Sequence, residues 1–370
     1  MPVGAIAIST LVSDMFGSLP GLEWLRAVKL YTILGADVYL FPTLIALAFA
    51  GYVVFLNFRG ASSAAKLQAF LTKALLCGML LAMGVSIVTG SPSNAMPVFS
   101  QVSGAGGGVA ATESTNLLAG IVSVLVLTPF FYAGFDTIPQ QAEEAAEGLN
   151  WNKFGKIITL ALLAAGGFYM VCIYSFGTIL PWDEFVSQPV PALACLKNIN
   201  MILYVAMLVI ATLGPMGPMN SFYGATSRIM LAMGRKGQLP EQFAEVDEKS
   251  GAPKLACVVL AVITIVGPFL GKNMLIPLTN VSALAFILSC TMVALACLKM
   301  RYTEPDLPRP YKVPGGKFGI FLAILAGAII IGLLVLPFSP ASLDMVEWSI
   351  VIGWLVVGFI LHVRHKARAK

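Results

Sequence analysis

The chain of 370 residues is 58 % hydrophobic and only 11 % charged, with a mean hydropathy of +0.86 and a formal net charge of +5. Soluble domains carry about 25 % charged residues, so this composition excludes a soluble domain and identifies a polytopic membrane protein. The positive sum is no sign of nucleic-acid binding, because in a membrane protein the location of charge matters more than its total.

The first apolar run, Pro2 to Leu19, contains Asp14 and is closed by Pro20-Gly21. A span takes about 20 apolar residues, so this run reads as a span cut short at its start. A polar connection, Glu23 to Asp37, leads to a full span from Val38 to Leu56 with Pro42 in its first turns. Asn57-Phe-Arg-Gly60 reads as a tight turn, and Leu67 to Val88 spans again, carrying Lys73. The loop Ser91 to Thr115 holds Pro92, Pro97 and the run Gly104 to Gly108. A phosphate-binding loop needs Gly-Lys-Ser/Thr after its glycines, but Val109-Ala-Ala stands there, so the run is linker.

The next segment, Leu117 to Ile138, carries Pro129-Phe-Phe-Tyr-Ala-Gly-Phe-Asp-Thr-Ile-Pro139. Pro129 removes a backbone donor and clashes with the preceding turn. Gly134 permits backbone angles that other residues avoid. Asp136 places a carboxylate where hydrocarbon makes charge expensive. Together they predict a broken helix, the usual way transporters build a site at mid-membrane. An acidic connection, Glu143-Glu144-Ala-Ala-Glu147, ends at Lys153 and Lys156. Further spans are Ile157 to Ile179, Ile202 to about Met233, Ala256 to Leu270, Leu275 to Leu298, Ile320 to Leu336 and Val346 to Leu361. The Ile202 run is long enough that Pro215 and Pro218 should bend it.

Threading these ten segments alternately puts 19 of the 23 basic residues on one side, and only Arg26, Lys29, Lys197 and Lys272 on the other. The positive-inside rule assigns the first side, with the C-terminus, to the cytoplasm. The six cysteines show no pairing signal, five lying in apolar runs and Cys195 in a polar loop. No CxxC occurs, and His362 and His365 both fall in the basic tail, so no metal site or cofactor is legible. No basic region precedes the first apolar run, so no cleavable signal peptide is read.

Three stretches then carry a resemblance. PFFYAGFDTIPQQAEEA from Pro129, NSFYGATSRIMLAMGRKGQLPEQFA from Asn220 with a following GAPK, and RPYKVPGG from Arg309 together resemble amino acid permeases of the amino acid–polyamine–organocation superfamily. The resemblance implies an all-α integral membrane protein built on two five-helix units of inverted topology, with the ten segments as helices three to twelve. Residues 1–90 would be the remainder of the first repeat and 91–116 an extracytoplasmic loop. Residues 117–299 would be the second repeat, its first helix broken near 129–139. Residues 300–317 would be a cytoplasmic loop, and 318–370 two additional helices with a basic tail. The first two helices, including the other broken one, have no counterpart here, which implies either a late start within a longer gene or a truncation.

The same resemblance supplies candidate site residues, each with a plainer alternative. Phe130 matches an aromatic gate over bound substrate, with Phe131 and Tyr132 beside it; lipid-facing or packing aromatics are the alternative. Ala133 and Gly134 would line the break, unless Gly134 is a close-packing glycine. Asp136 matches an acid that takes part in gating or proton handling, or is simply hydrated at the cytoplasmic edge. Lys73 matches a lysine that replaces a coupling sodium in proton-coupled members, with Ser221 as a possible hydroxyl partner; otherwise it snorkels to the headgroups. Met219 matches a substrate-facing position, although it and Asn220 equally suit packing around the proline kinks. Ser282 is a weaker candidate, and Asp14 is placed at the outward interface.

The resulting expectation is a secondary active transporter in the plasma membrane, moving amino acids or related amines, coupled to protons, by alternating access. Its partners would be that solute, protons and the lipid bilayer, with no nucleic acid. A non-transporting remnant or subunit that needs a partner's helices is the rival, an amine or polyamine exchanger a second one. No nucleophile–base constellation suggests an enzyme. The individual solute, exchange against symport, sodium against protons and the oligomeric state stay open.

Overall fold

A computed structural model describes residues 1–96, 117–140, 150–181, 184–185, 188, 190–309, 311–339 and 341–368. Most of the glycine-rich loop, the acidic connection at 141–149 and Pro310 of the third motif lie outside the described residues. Apolar sequence in a bilayer must satisfy its backbone groups internally, and helices do so nearly throughout. The chain begins with α1 (Pro2–Asp14), followed by a small hairpin of β1 (Lys29–Ile33) and β2 (Ala36–Tyr39). Then come α2 (Leu40–Phe58), α3 (Ala61–Thr89), α4 (Leu117–Tyr132), the short α5 (Thr137–Gln140), α6 (Trp151–Gly177), α7 (Pro191–Ile199) and α8 (Met201–Leu213). The order ends with α9 (Met216–Arg235), α10 (Lys254–Val266), α11 (Leu275–Thr303), α12 (Gly316–Val335) and α13 (Met345–Arg368).

Among the described residues, eight helices are long and apolar enough to cross a membrane, counting Gly120–Gln140 and Met201–Arg235 as one each. The remaining two apolar segments, Pro2–Asp14 and Lys254–Leu270, are shorter. At 1.5 Å per residue the 13 residues of α1 reach only about 20 Å, against a hydrocarbon core of about 30 Å.

Four departures from the sequence expectations stand out. The connection from Glu23 to Asp37 is not simply polar coil, so the fold is not purely helical. Its two strands pair antiparallel, with Ile33 opposite Ala36. They are joined by Leu34 and Gly35, at φ of 50° and 76°. Two residues at positive φ give the twist that strands need in a two-residue hairpin. Second, Asn57 is no turn residue: α2 continues to Phe58 and buries the Asn57 side chain. Third, the long run from Ile202 is interrupted only once, where α8 ends at Leu213 and Pro215 caps α9. Pro218 falls in the first turn of α9, where a missing N–H costs nothing. Fourth, Cys195 lies on α7, fully buried, rather than in an open loop.

The core is distributed among helix contacts. One cluster joins α1, α2, α3 and α9 through Ala5, Ile8, Ala46, Ala50, Leu71 and Met219. A second packs α3, α7 and α8 around Phe176 of α6, and a third brings Val126 of α4 against Leu284 of α11 and Leu334 of α12. Small residues at these seams let the backbones approach, as membrane helix packing requires. At one end, Asp14 and Lys272 pair at 2.9 Å and Asn273 Nδ2 donates to the Leu34 carbonyl at 2.7 Å, clasping the hairpin. At the other end lie Arg59, Arg228, Arg235 and Lys249. The third motif is anchored there by Arg309, whose guanidinium donates to the carbonyls of Met300, Glu304, Pro305 and Leu307 at the end of α11.

Candidate functional site

The segment that contains Pro129 does break. Helix α4 stops at Tyr132, residues 133–136 form turns, and α5 restarts at Thr137. Gly134 sits at φ 131°, a conformation open to glycine and strained for other residues. The break frees backbone groups, and nearby side chains satisfy them. Asp136 Oδ1 accepts from the Gly134 N–H at 2.9 Å, and Thr137 Oγ1 donates to the Gly134 carbonyl at 2.6 Å. The other Asp136 oxygen accepts from Gln140 Nε2 at 3.0 Å. Both carboxylate oxygens of Asp136 therefore hold the break together, a positioning role that the sequence reading had not considered.

Tyr169 on α6, which no sequence motif singles out, organises the aromatic side of the break. Its ring packs edge-on against Phe131 at 6.2 Å and Tyr132 at 6.0 Å, and its hydroxyl donates to the Phe131 carbonyl at 2.9 Å. Phe130 packs edge-on against Phe131 at 6.1 Å. Gly166 leaves room for the Tyr132 hydroxyl, which a Cβ at that position would strike.

Beside the break opens a cleft of about 1440 Å³. Gly134 and Thr137 line it, together with Lys73 of α3 and Ser221 of α9. Three candidates from separate parts of the chain thus share one space. Phe130, Phe131, Tyr132 and Ala133 are not among its lining residues, nor is Met219. Met219 is only 1 % exposed and packs in the core beside α1, against Gly4. Ser282 is exposed, its hydroxyl donating to the Leu278 carbonyl.

The cleft also carries an amide cluster that the sequence reading missed. Asn57 Nδ2 donates to Asn220 Oδ1 at 2.9 Å, and Asn220 Nδ2 donates to the Ala64 carbonyl at 3.0 Å and Gln68 Oε1 at 3.2 Å. It ties α2, α3 and α9 together where all three face the cleft. No spacing in the sequence marks it, since Asn57 and Asn220 are 163 positions apart.

Arg59, Lys73, Arg228, Arg235 and Lys249 make the lining positive, and no Asp or Glu is among the lining residues. The loop at its mouth is pinned by Asp247. Its carboxylate meets Lys254 Nζ at 2.8 Å and accepts from both the amide and the hydroxyl of Ser250 at 2.9 Å. The Lys254 ammonium, followed by the two Ser250 bonds, holds the Asp247 carboxyl well below its usual range. Among the described residues no three His, Cys, Asp or Glu side chains come together as a metal site would need.

Known proteins resemble this chain in sequence. The chain is 25 % identical over 246 residues to the branched-chain amino acid permease of Bacillus subtilis, covering 66 % of this chain and 50 % of that one. It is 25 % identical over 291 residues to the human cystine/glutamate transporter, covering 78 % and 52 %. It is 27 % identical over 312 residues to the vacuolar cationic amino acid transporter 2 of Arabidopsis thaliana, covering 82 % and 45 %. The chain spans about half the length of these relatives. The sequence profile of the family described as amino acid permease matches residues 3–361, and so the chain belongs to the amino acid permease family.

Proposed function

We propose that this chain acts in a secondary active transporter for amino acids or related amines, coupled to protons and working by alternating access. The observation that carries the reading is the meeting of Gly134 and Thr137 of the broken helix with Lys73 and Ser221 in one cleft. A break in a membrane helix is costly unless it serves a cavity, and this break opens beside one large enough for an amino acid. The named activities of the relatives, which concern branched-chain, cystine/glutamate and cationic amino acid transport, support the solute class.

In this reading, residues 117–299 form one five-helix repeat and residues 1–90 part of the other. The cleft opens to the cytoplasm, the C-terminus lies on the same side, and the protein resides in the plasma membrane. Lys73 holds the coupling proton. Ser221 lines the same cleft and presents a hydroxyl oxygen to it. Asp136 and Thr137 keep the break in shape while α4 and α5 move.

The test is uptake by proteoliposomes as a function of external pH, with the wild-type chain and Lys73→Ala side by side. Wild-type uptake should rise as an inward proton gradient is imposed, and the variant should lose that dependence. Equal pH dependence in both would make Lys73 a snorkelling lysine and remove the coupling step.

A further inference from the structure

A separate groove of about 590 Å³ lies between the first turns of α6 and residues 311–314, and shares no lining residue with the cleft. Two lysines, Lys156 and Lys312, stand in its lining with Leu160 and Leu163. Positions 156, 160 and 163 are spaced i, i+4 and i+7, so they occupy one face of α6, with the lysine above the leucines. Tyr311 forms the opposite wall. It rests on Gly155, where a Cβ would strike its ring, and its hydroxyl lies 3.3 Å from Thr159 Oγ1. Thr159 already donates to the Gly155 carbonyl, so the tyrosine is the donor in that pair and the wall is fixed.

The level of the groove follows from α6 itself. Its 27 residues reach about 40 Å, some 10 Å more than the hydrocarbon core, so one end enters the headgroup layer. Trp151, half-exposed at the first residue of α6 and bordering the cleft, stands at the helix end where tryptophan is enriched in membrane proteins. None of the most apolar 18-residue window of α6 is buried, and Leu160 and Leu163 are 67 % and 72 % exposed. Among the described residues neither lysine has an ion-pair partner, whereas Lys29, Lys254 and Lys272 each pair with an aspartate.

We propose that this groove binds an anionic glycerophospholipid, its phosphate between Lys156 and Lys312 and one acyl chain along Leu160 and Leu163. Charge complementarity selects the headgroup, and the exposed leucines below it select a lipid over a free anion. Basic pockets at helix ends are a recurring solution for such headgroups. The groove shares no lining residue with the transport cleft, although the first turns of α6 border both.

Native mass spectrometry of the full chain, equilibrated with equal amounts of phosphatidylglycerol and phosphatidylcholine, tests the assignment. The first lipid bound should be phosphatidylglycerol, favoured about thirtyfold given about 1 kcal/mol for each of two basic side chains at the surface. Lys156→Gln with Lys312→Gln should bring the ratio close to one. Lys66→Gln with Lys299→Gln, which removes the same charge elsewhere, should leave it unchanged, and excess inorganic phosphate should not displace the lipid. No preference in the wild type, an equal loss in the control pair, or displacement by phosphate alone would each overturn the proposal.

Discussion

At the level of single residues, the break depends on two choices with separable costs, Gly134 and Asp136. A Cβ at Gly134 would touch nothing within 4 Å, so Gly134→Ala carries a purely conformational penalty of about 1–3 kcal/mol. The variant should melt lower in detergent and transport less, and an unchanged melting temperature would deny the strained conformation. Replacing Asp136 by Ala strands the Gly134 N–H and should cost about 1–3 kcal/mol, whereas Asp136→Asn keeps an acceptor and should be milder. The amide cluster admits a double-mutant cycle. Asn57→Leu and Asn220→Leu should each destabilise, and their combination should cost less than the sum by about 0.5–3 kcal/mol.

Asp247 adds a pH dependence whose sign follows from its depressed carboxyl. A group lowered on folding stabilises above its unfolded value of about 3.9 and loses that contribution as pH falls through the folded value. Amide exchange at Ser250 and Gly251 should therefore quicken below the ordinary carboxylate range. Asp247→Asn should show fast exchange already at neutral pH.

At the level of elements, the break was legible because proline, glycine and aspartate each leave a local signal, and all three fall within eight residues. The hairpin left none. Its turn is Leu34-Gly35 rather than Asn-Gly, and a leucine at positive φ is held by tertiary contacts such as the Asn273 bond to its carbonyl. Leu34→Asn should suit that turn and stabilise the protein by about 0.5–1 kcal/mol, since the side chain is half-exposed. A drop in stability would mean that the Leu34 side chain itself packs something important. Met219 shows the opposite limit of sequence reasoning. An apolar residue on a membrane helix carries no mark of which neighbour it faces, and the contact with Gly4 on α1 decides it. Asn57 was hidden by its neighbours, because Arg59 and Gly60 read as a turn while the helix runs on to Phe58.

At the level of the whole molecule, the distribution of basic residues already divided the chain into two ends. The structure gathers Arg59, Arg228, Arg235 and Lys249 around one cleft and sets the Asp14–Lys272 pair with the hairpin at the other end. Cysteines placed at Lys249 and Leu34, in a background lacking the native thiols, should react with impermeant maleimide from opposite faces of the membrane. Labelling of both from the same face would break the topology. What the sequence could not convey is which distant side chains share a space, and the joining of Lys73, Gly134 and Ser221 belongs to that category.

Transport itself is the claim on which the rest converges, and uptake is its most direct measure. Proteoliposomes holding the full chain, offered a panel of labelled amino acids and polyamines under an inward proton gradient, should concentrate at least one of them. A protonophore should collapse that accumulation. A sample that keeps its cooperative melting transition, yet takes up no member of the panel faster than protein-free vesicles, would contradict the account.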